Sequence, residues 1–265
     1  MDQALKQASF LARYAILRAR IAAVRGEPIV VASTHRTAST AVYRALRDAA
    51  GARVVKCHRL HEPLMSWRRP DPPIAANGLL RNRMTGDWAV LHGITQPRRP
   101  ARFVMLVRDP IAVAASMAAF DPPPVGAVGC WPLVDPHARA MKDWFDGDVT
   151  PALGWAPWDQ PFDTDRKAAT WVHGPWTILV MRADLDDDAK ARELTEFICR
   201  PVTMVRINSA EQRGAGREHA LVRERIRALG DDVDLIHRSR FCRHFFTLAE
   251  LAQQRARWVG STTPP

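Results

Sequence analysis

The chain has 265 residues, 47% of them hydrophobic, which is enough to bury the core of one large domain or of two small ones. Its formal net charge of +10 at pH 7 favours anionic partners, but no nucleic-acid-binding module is recognisable, so no nucleic-acid partner is expected. No apolar run approaches the roughly 20 residues that span a bilayer, no signal peptide is recognisable, and the scattered cysteines (Cys57, Cys130, Cys199 and Cys242) favour a cytoplasmic protein without disulfides or a zinc site.

The first predicted element is a basic amphipathic helix in the N-terminal segment 1–27, ahead of a core at residues 28–260 that belongs to the same single domain. One apolar face is predicted from the spacing of Leu5, Leu11, Ala15, Ala19 and Ala22. We expect that face to pack against the chain's own domain. The alternative is peripheral contact with a membrane, at its inner, cytoplasmic face.

Three apolar runs, at residues 29–32, 103–107 and 177–181, and the segment 53–57 after Gly51 predict the strands of a parallel sheet. Helical patterns lie between and after them, at residues 39–50, after Pro110, and at residues 189–198, 217–229 and 248–258. Unbroken apolar strands that alternate with helices are typical of an α/β fold whose sheet is covered on both faces. The last two patterns predict a helical C-terminal part, residues 121–136 a loop or lid, and residues 142–171 an irregular aromatic segment.

The turn after the first predicted strand is small and rich in hydroxyl groups, and reads Ser33-Thr-His-Arg-Thr-Ala-Ser-Thr40. Small residues let backbone N–H groups approach an anion, and a helix N-terminus adds partial positive charge. The turn lacks the Walker A pattern, which argues against a nucleotide-dependent kinase. A Ser- and Thr-rich turn is also typical of helix capping, so that alternative stays open. The candidate anion ligands are Arg36, Thr37, Ala38, Ser39 and Thr40.

A second polar segment, Arg108-Asp-Pro110, follows the third predicted strand, and Ser116 lies in the helix after it. Ligands of open parallel sheets bind beyond the carboxyl ends of the strands. The fork of Arg108 and the hydroxyl of Ser116 are suited to hold one anion beside the first turn. The alternative is an Arg–Asp surface turn in front of an Ala-rich core helix.

Taken in order, these motifs resemble those of the sulfotransferase superfamily. Its members carry a Pro-Lys-Ser-Gly-Thr-Thr type of loop after the first strand, and an Arg-(Asn/Asp)-Pro segment with a Ser eight residues after the Arg. Residues 35–40 and 108–116 stand in these places. A closer resemblance is to the bacterial capsular polysaccharide synthesis protein branch, through Trp144-Phe145, Gly154, Pro161-Phe-Asp163, Met181-Arg-Ala-Asp-Leu185 and the pattern at residues 235–246.

The resemblance implies a P-loop-like fold that binds 3′-phosphoadenosine 5′-phosphosulfate (PAPS) without a metal. It implies transfer of the sulfuryl group to a hydroxyl, on a carbohydrate or glycolipid, in polysaccharide biosynthesis. The first loop would hold the 5′-phosphosulfate, and Arg108 with Ser116 the 3′-phosphate. Three positions depart from the family: Arg36 replaces Lys, Ala38 replaces Gly, and Ala41 replaces an aromatic residue that stacks on adenine. These departures leave open a catalytically inactive nucleotide- or anion-binding protein that acts in polysaccharide assembly.

The second predicted strand ends in Val54-Val-Lys-Cys-His58 and supplies the catalytic candidates. The resemblance implies a catalytic histidine here, so His58 is the candidate general base, a role that suits imidazole near neutral pH. His61 and Glu62 are the alternatives. Arg36 and Lys56 are the candidates that stabilise the transferring group and the leaving phosphate.

Two further groups of residues have a structural and a functional interpretation. The aromatic side chains between Trp144 and Trp171 are suited either to the core or to stacking against a sugar. Arg238, Arg240 and Arg243 are suited either to a solvated surface or to holding a phosphate.

Overall fold

The computed structural model describes residues 3–34, 37–61, 79–120, 141–204, 222–224, 226–227 and 229–260. The predictions for Arg36 and Glu62 lie outside the described residues, as do the predicted lid at residues 121–136 and most of the helix predicted at residues 217–229.

The sheet has five strands, β1 (Ile29–Ser33), β2 (Val54–Cys57), β3 (Ala101–Val107), β4 (Ala168–His173) and β5 (Trp176–Arg182). Their order is β2-β1-β3-β5-β4; the first four run parallel, and β4 pairs antiparallel with β5. The predicted α/β class is confirmed, but the prediction of a wholly parallel sheet is wrong at β4. That edge strand is only partly buried and lacks the unbroken apolar run by which β1, β3 and β5 were predicted.

The helices are α1 (Gln3–Ala23), α2 (Ser39–Ala50), α3 (Leu79–Val90), α4 (Pro110–Phe120), α5 (Thr150–Leu153), α6 (Asp187–Ile198), α7 (Gly230–His237), α8 (Arg240–Phe245) and α9 (Leu248–Val259). One π-helical turn, Leu91–Thr95, follows α3, and another, Phe145–Val149, precedes α5. In the described residues no helix has both the length and the apolar character needed to cross a membrane.

Alternate side chains of the central strands enter two separate cores, because successive side chains of a strand point to opposite faces of the sheet. Val30 and Phe103 join the core beneath α1, α3, α4 and the C-terminal helices, whereas Val31 and Val104 join the core beneath α2 and α6. Helices therefore cover both faces of the sheet, and the C-terminal part is helical, as predicted.

The α1 helix packs against α3 and the turn at 91–95 through Phe10, Tyr14, Leu17 and Ile21. The guanidinium of Arg99 donates to the carbonyls of Ile21 (2.6 Å) and Val24 (3.1 Å), which anchors the C-terminal end of the helix. The helix thus packs on its own domain, but the prediction of its packed face is wrong. The helix has two apolar faces, and the one with the larger side chains is buried because it removes more apolar area from water. The residues of the predicted face whose side chains are described are exposed: Leu11, Ala15, Ala19 and Ala22.

The motif at the end of β5 ties the sheet to α9. Arg182 is only 1% exposed and pairs with Asp184 (2.6 Å) and with Glu250 (2.7 Å) of the α9 capping box. Its guanidinium also lies over the ring of Phe246. The Met181–Leu185 motif is therefore structural, since its Arg182, held by Asp184, fastens the C-terminal helices to the sheet.

Most of the aromatic segment belongs to the core. Four of its large side chains are buried: Trp144, Phe145, Trp155 and Trp171. Trp158 and Phe162 are half-buried and pack against this cluster. The geometry favours the core interpretation over stacking against a sugar for the four buried rings.

Candidate active site

Three parallel strands end together at one edge of the sheet and bring the candidate residues there. Ala32 of β1 is in register with Cys57 of β2, and Ser33 with Leu106 of β3. His58 therefore follows β2 beside Ser33, and Arg108 leaves the neighbouring strand at the same edge. This is where ligands of open parallel sheets bind.

Lys56 reaches from β2 to the first turn of α2. Its Nζ donates a hydrogen bond to Thr40 Oγ1 at 2.8 Å. Because the Thr40 hydroxyl accepts this bond, its own proton remains available to donate to a ligand. A cation and a hydroxyl donor thus meet at a helix N-terminus, where the backbone dipole favours an anion.

The backbone at the start of α2 adopts an unusual conformation at Ala38. This residue has φ 60° and ψ 12°, the left-handed region, and occupies the N-cap position without any side-chain cap. Ser39 and Thr40 lie one and two residues further on, so the capping interpretation of the hydroxyl-rich turn is wrong for them. A glycine would occupy this conformation without steric cost, whereas alanine costs about 1 kcal/mol.

Thr37 stabilises the same turn through a hydrogen bond of its buried side chain. Its side chain is buried, and its hydroxyl donates to the carbonyl of Thr34 at 3.1 Å. The hydroxyl is thus engaged within the turn, and the contribution left to Thr37 is a backbone N–H. Ser39 is also buried, at 5% exposure, in the first turn of α2.

His58 is held in one tautomer by the end of β1. Its ring is 8% exposed, and Nδ1 lies 2.8 Å from the carbonyl oxygen of Ser33. A carbonyl only accepts, so Nδ1 carries the proton and, in the neutral ring, the lone pair belongs to Nε2. This is the tautomer in which Nε2 accepts a proton, and the Nε2 atom itself is buried.

Two buried carboxylates hold the segment 58–61, which follows β2. Asp87 Oδ1 accepts the N–H of His58 at 2.6 Å, and Asp148 accepts the N–H groups of Leu60 (2.9 Å) and His61 (3.0 Å). Asp148 also accepts the indole N–H of Trp144 at 3.2 Å. Neither carboxylate was predicted as a site residue. They fix the backbone on which His58 stands.

Burial raises the pKa of the Asp87 carboxyl to about 7, against the opposing effect of the N–H donors of His58 and Arg59, and the charge of Asp148 raises it further. Unfolded, the carboxyl has a pKa near 3.8. Between about pH 4 and pH 7 the folded chain therefore binds more protons than the unfolded chain. The stability that Asp87 contributes is complete below this window and is lost as the pH rises through it.

We expect Asp87→Asn to flatten the pH dependence of stability, because the amide oxygen still accepts the His58 N–H but does not ionise. The wild type should lose up to about 1.4 kcal/mol of unfolding free energy per pH unit from this group between pH 4 and 7. Urea unfolding at several pH values measures the slope, and Asp48→Asn, at an exposed position of α2, is the control. Equal slopes for wild type and Asp87→Asn would contradict this assignment.

Arg108 lies half-buried among other charged groups at the end of β3. Burial lowers the pKa of its guanidinium; Asp109 and Asp184 oppose the shift, and the charge of Arg257 adds to it. Arginine stays protonated at neutral pH, so the positive charge of Arg257 and the negative charges of Asp109 and Asp184 all act on the Arg108 guanidinium. Arg257 was not predicted from the sequence.

Ser116 and Arg240, one of the predicted C-terminal arginines, lie on different helices, α4 and α8. Ser116 is half-buried in α4, the helix that follows Arg108. Arg240 is exposed, lies over the ring of Trp158 and is 3.7 Å from Asp159. The described contacts of Arg240 thus fit the surface interpretation, whereas Arg257 is the C-terminal arginine whose charge acts on Arg108.

Asp109 ties the end of β3 to two C-terminal helices. The carboxylate accepts the N–H of Ile111 at 3.0 Å, which caps the start of α4. It also lies 3.3 Å from His237 Nε2 of α7 and accepts the indole N–H of Trp258 at 3.0 Å. One buried side chain therefore joins β3 to two C-terminal helices and positions Arg257, the neighbour of Trp258.

Among the described residues no group of three or more His, Cys, Asp or Glu side chains is arranged to hold a metal ion. Comparison of the chain with models of known protein families, with curated proteins and with solved structures gives no match. The interpretation of this site therefore depends on its residues and their geometry.

Proposed function

We propose that the chain is a sulfotransferase with a P-loop-like α/β fold. In this proposal it moves the sulfuryl group of PAPS to a hydroxyl on a carbohydrate or glycolipid. The observation that carries the proposal is the pairing of Lys56 with Thr40 at the N-terminus of α2, beside a buried His58 whose Nδ1 proton is fixed by Ser33. A cation for the donor and a base for the acceptor thus lie at one edge of the sheet.

The donor would be held at both of its phosphate ends. The first turn of α2, with Lys56 and Thr40, would bind the 5′-phosphosulfate, because backbone N–H groups, a cation and a hydroxyl converge there. Arg108 with Ser116 would bind the 3′-phosphate, because a guanidinium and a hydroxyl are both hydrogen-bond donors to phosphate oxygens. In members of the family, a Lys of the first loop carries a positive charge. In this chain Lys56, which lies on β2, would supply that charge.

The reaction that these groups support is an in-line transfer. The acceptor oxygen forms a bond to sulfur while its proton passes to His58 Nε2. The bond between sulfur and the bridging oxygen of the 5′-phosphate breaks, and 3′-phosphoadenosine 5′-phosphate (PAP) leaves with the bonding electrons. Lys56, together with Arg36, would neutralise the charge that develops on the leaving phosphate.

Conversion of PAPS to PAP in the presence of a panel of polysaccharides and glycolipids tests the proposal. We expect PAP formation that depends on one acceptor class and a product that carries the sulfuryl group. Binding of PAP without turnover on any acceptor would instead favour a catalytically inactive nucleotide-binding protein.

A further inference from the structure

The α1 helix leaves a whole apolar side uncovered by described residues. Phe10, Tyr14, Leu17 and Ile21 face the domain. At 3.6 residues per turn, the opposite side spans roughly 140° of the helix circumference. Its members are all exposed: Ala8, Leu11, Ala12, Ala15, Ile16, Ala19, Ala22 and Ala23. We call this set the alanine face.

Two large side chains stand out on the alanine face. Leu11 is 50% exposed and Ile16 is 62% exposed. A surface helix ordinarily turns polar residues to water on the side opposite the core. An exposed apolar side of this length is instead typical of a surface that contacts a partner or a membrane.

The charged residues of α1 itself that border the alanine face have a single sign. Helix geometry places Arg18 along one edge of the face and Arg13 and Arg20 along the other. The sequence of α1 contains Lys6 and these three arginines and no Asp or Glu. An apolar strip between rows of cations is complementary to a surface that is apolar inside and anionic outside.

A second copy of the chain fits this surface less well. Contact between two alanine faces would set the arginine rows of one copy against those of the other, and the like charges would repel. An anionic bilayer has the opposite effect, because each Lys or Arg near its surface is attracted to the lipid phosphates.

We infer that the alanine face of α1 docks the protein on an anionic lipid bilayer, with Leu11 and Ile16 entering the headgroup region and Arg18 and Arg20 contacting lipid phosphates. The helix lies along the surface and does not span it. Arg99 fastens the C-terminal end of α1 to the domain, so the domain is carried with the helix. This inference is independent of the reaction proposed above.

Sedimentation of the full chain with vesicles tests the inference. One set of vesicles contains phosphatidylcholine and phosphatidylglycerol in equal parts, and the other contains phosphatidylcholine alone. The test variant is Leu11→Asp/Ile16→Asp. The matched control is Val172→Asp/Leu235→Asp, which adds the same charge at two other exposed apolar positions, 74% and 69% exposed.

We expect the wild type and the control to bind the mixed vesicles, and the test variant to bind at least about tenfold more weakly. Because both positions are exposed, its melting temperature should stay that of the wild type; Ile16→Asn alone is the milder substitute. Failure of the wild type to bind the mixed vesicles, equal binding to both sets, or equal losses in test and control would overturn the inference. A dimer that dissociates only in the test variant would also overturn it.

Discussion

Replacing His58 with alanine is expected to lower the rate of sulfuryl transfer by about 100- to 10,000-fold, the range typical of a lost general base. The lone pair of the neutral ring is on Nε2 because Nδ1 donates to Ser33. PAP binding should persist, since Lys56 and Arg108 remain. Single-turnover conversion of PAPS measures the rate, and calorimetry with PAP verifies that the variant still binds.

His61→Ala is the matched control for this prediction. His61 belongs to the same segment, its side chain is exposed, and Asp148 holds its backbone N–H, which the substitution retains. The control should keep most of the activity. Loss of activity in His61→Ala with activity retained in His58→Ala would assign the base to the other histidine.

Gly86→Ala is expected to destabilise the fold by about 2 kcal/mol or more. A Cβ at Gly86 would lie 2.2 Å from the backbone carbonyl oxygen of Lys56, so α3 must move away from β2. Alanine improves helix propensity by about 1 kcal/mol, which does not offset a backbone clash in the core. The same movement would draw Asp87 away from the His58 N–H, so activity should fall as well. Urea unfolding measures the loss of stability.

Gly147→Ala provides the contrast. A Cβ at Gly147 meets nothing within 4 Å among the described residues, and the backbone there is helical. Its stability should stay within about 1 kcal/mol of the wild type. Equal stability of the two variants would show that α3 and β2 do not need their close approach.

The elements that the sequence predicts well are those whose pattern is local. An unbroken apolar run of four or five residues marks β1, β3 and β5, and the helix after Pro110 is seen as expected. β4 was not predicted because its buried and exposed residues alternate irregularly at the edge of the sheet. The sequence signal for the β4–β5 hairpin was the two-residue link Gly174-Pro175. In the structure Gly174 has φ 55°, a conformation that favours glycine.

The packed face of α1 could not be chosen from periodicity alone. The helix carries one apolar face of large side chains and another of alanines, and periodicity identifies both. Comparing the apolar area of the two faces would have favoured Phe10, Tyr14, Leu17 and Ile21 for the core.

The site was predictable only in its local part. Lys56 and His58 were proposed from the family resemblance and from their place at a strand end, and the structure brings Lys56 to Thr40. Asp87 and Asp148, by contrast, act on the segment 58–61 from 29 and 88 residues away in sequence. Nothing in their own sequence neighbourhoods marks them. Arg257, whose charge acts on Arg108, is the sequence neighbour of Trp258, whose indole N–H is accepted by Asp109.

Calorimetric titration with PAP tests the central claim, that this sheet edge holds a 3′-phosphoadenylyl donor. The wild type should bind with a dissociation constant in the micromolar range, and Arg108→Ala should weaken binding at least about tenfold, since a hydrogen bond to a charged group contributes about 1.5–3 kcal/mol. ADP, which lacks the 3′-phosphate, should not distinguish the two proteins. No binding of PAP by the folded wild type, or equal affinity in Arg108→Ala, would contradict the account.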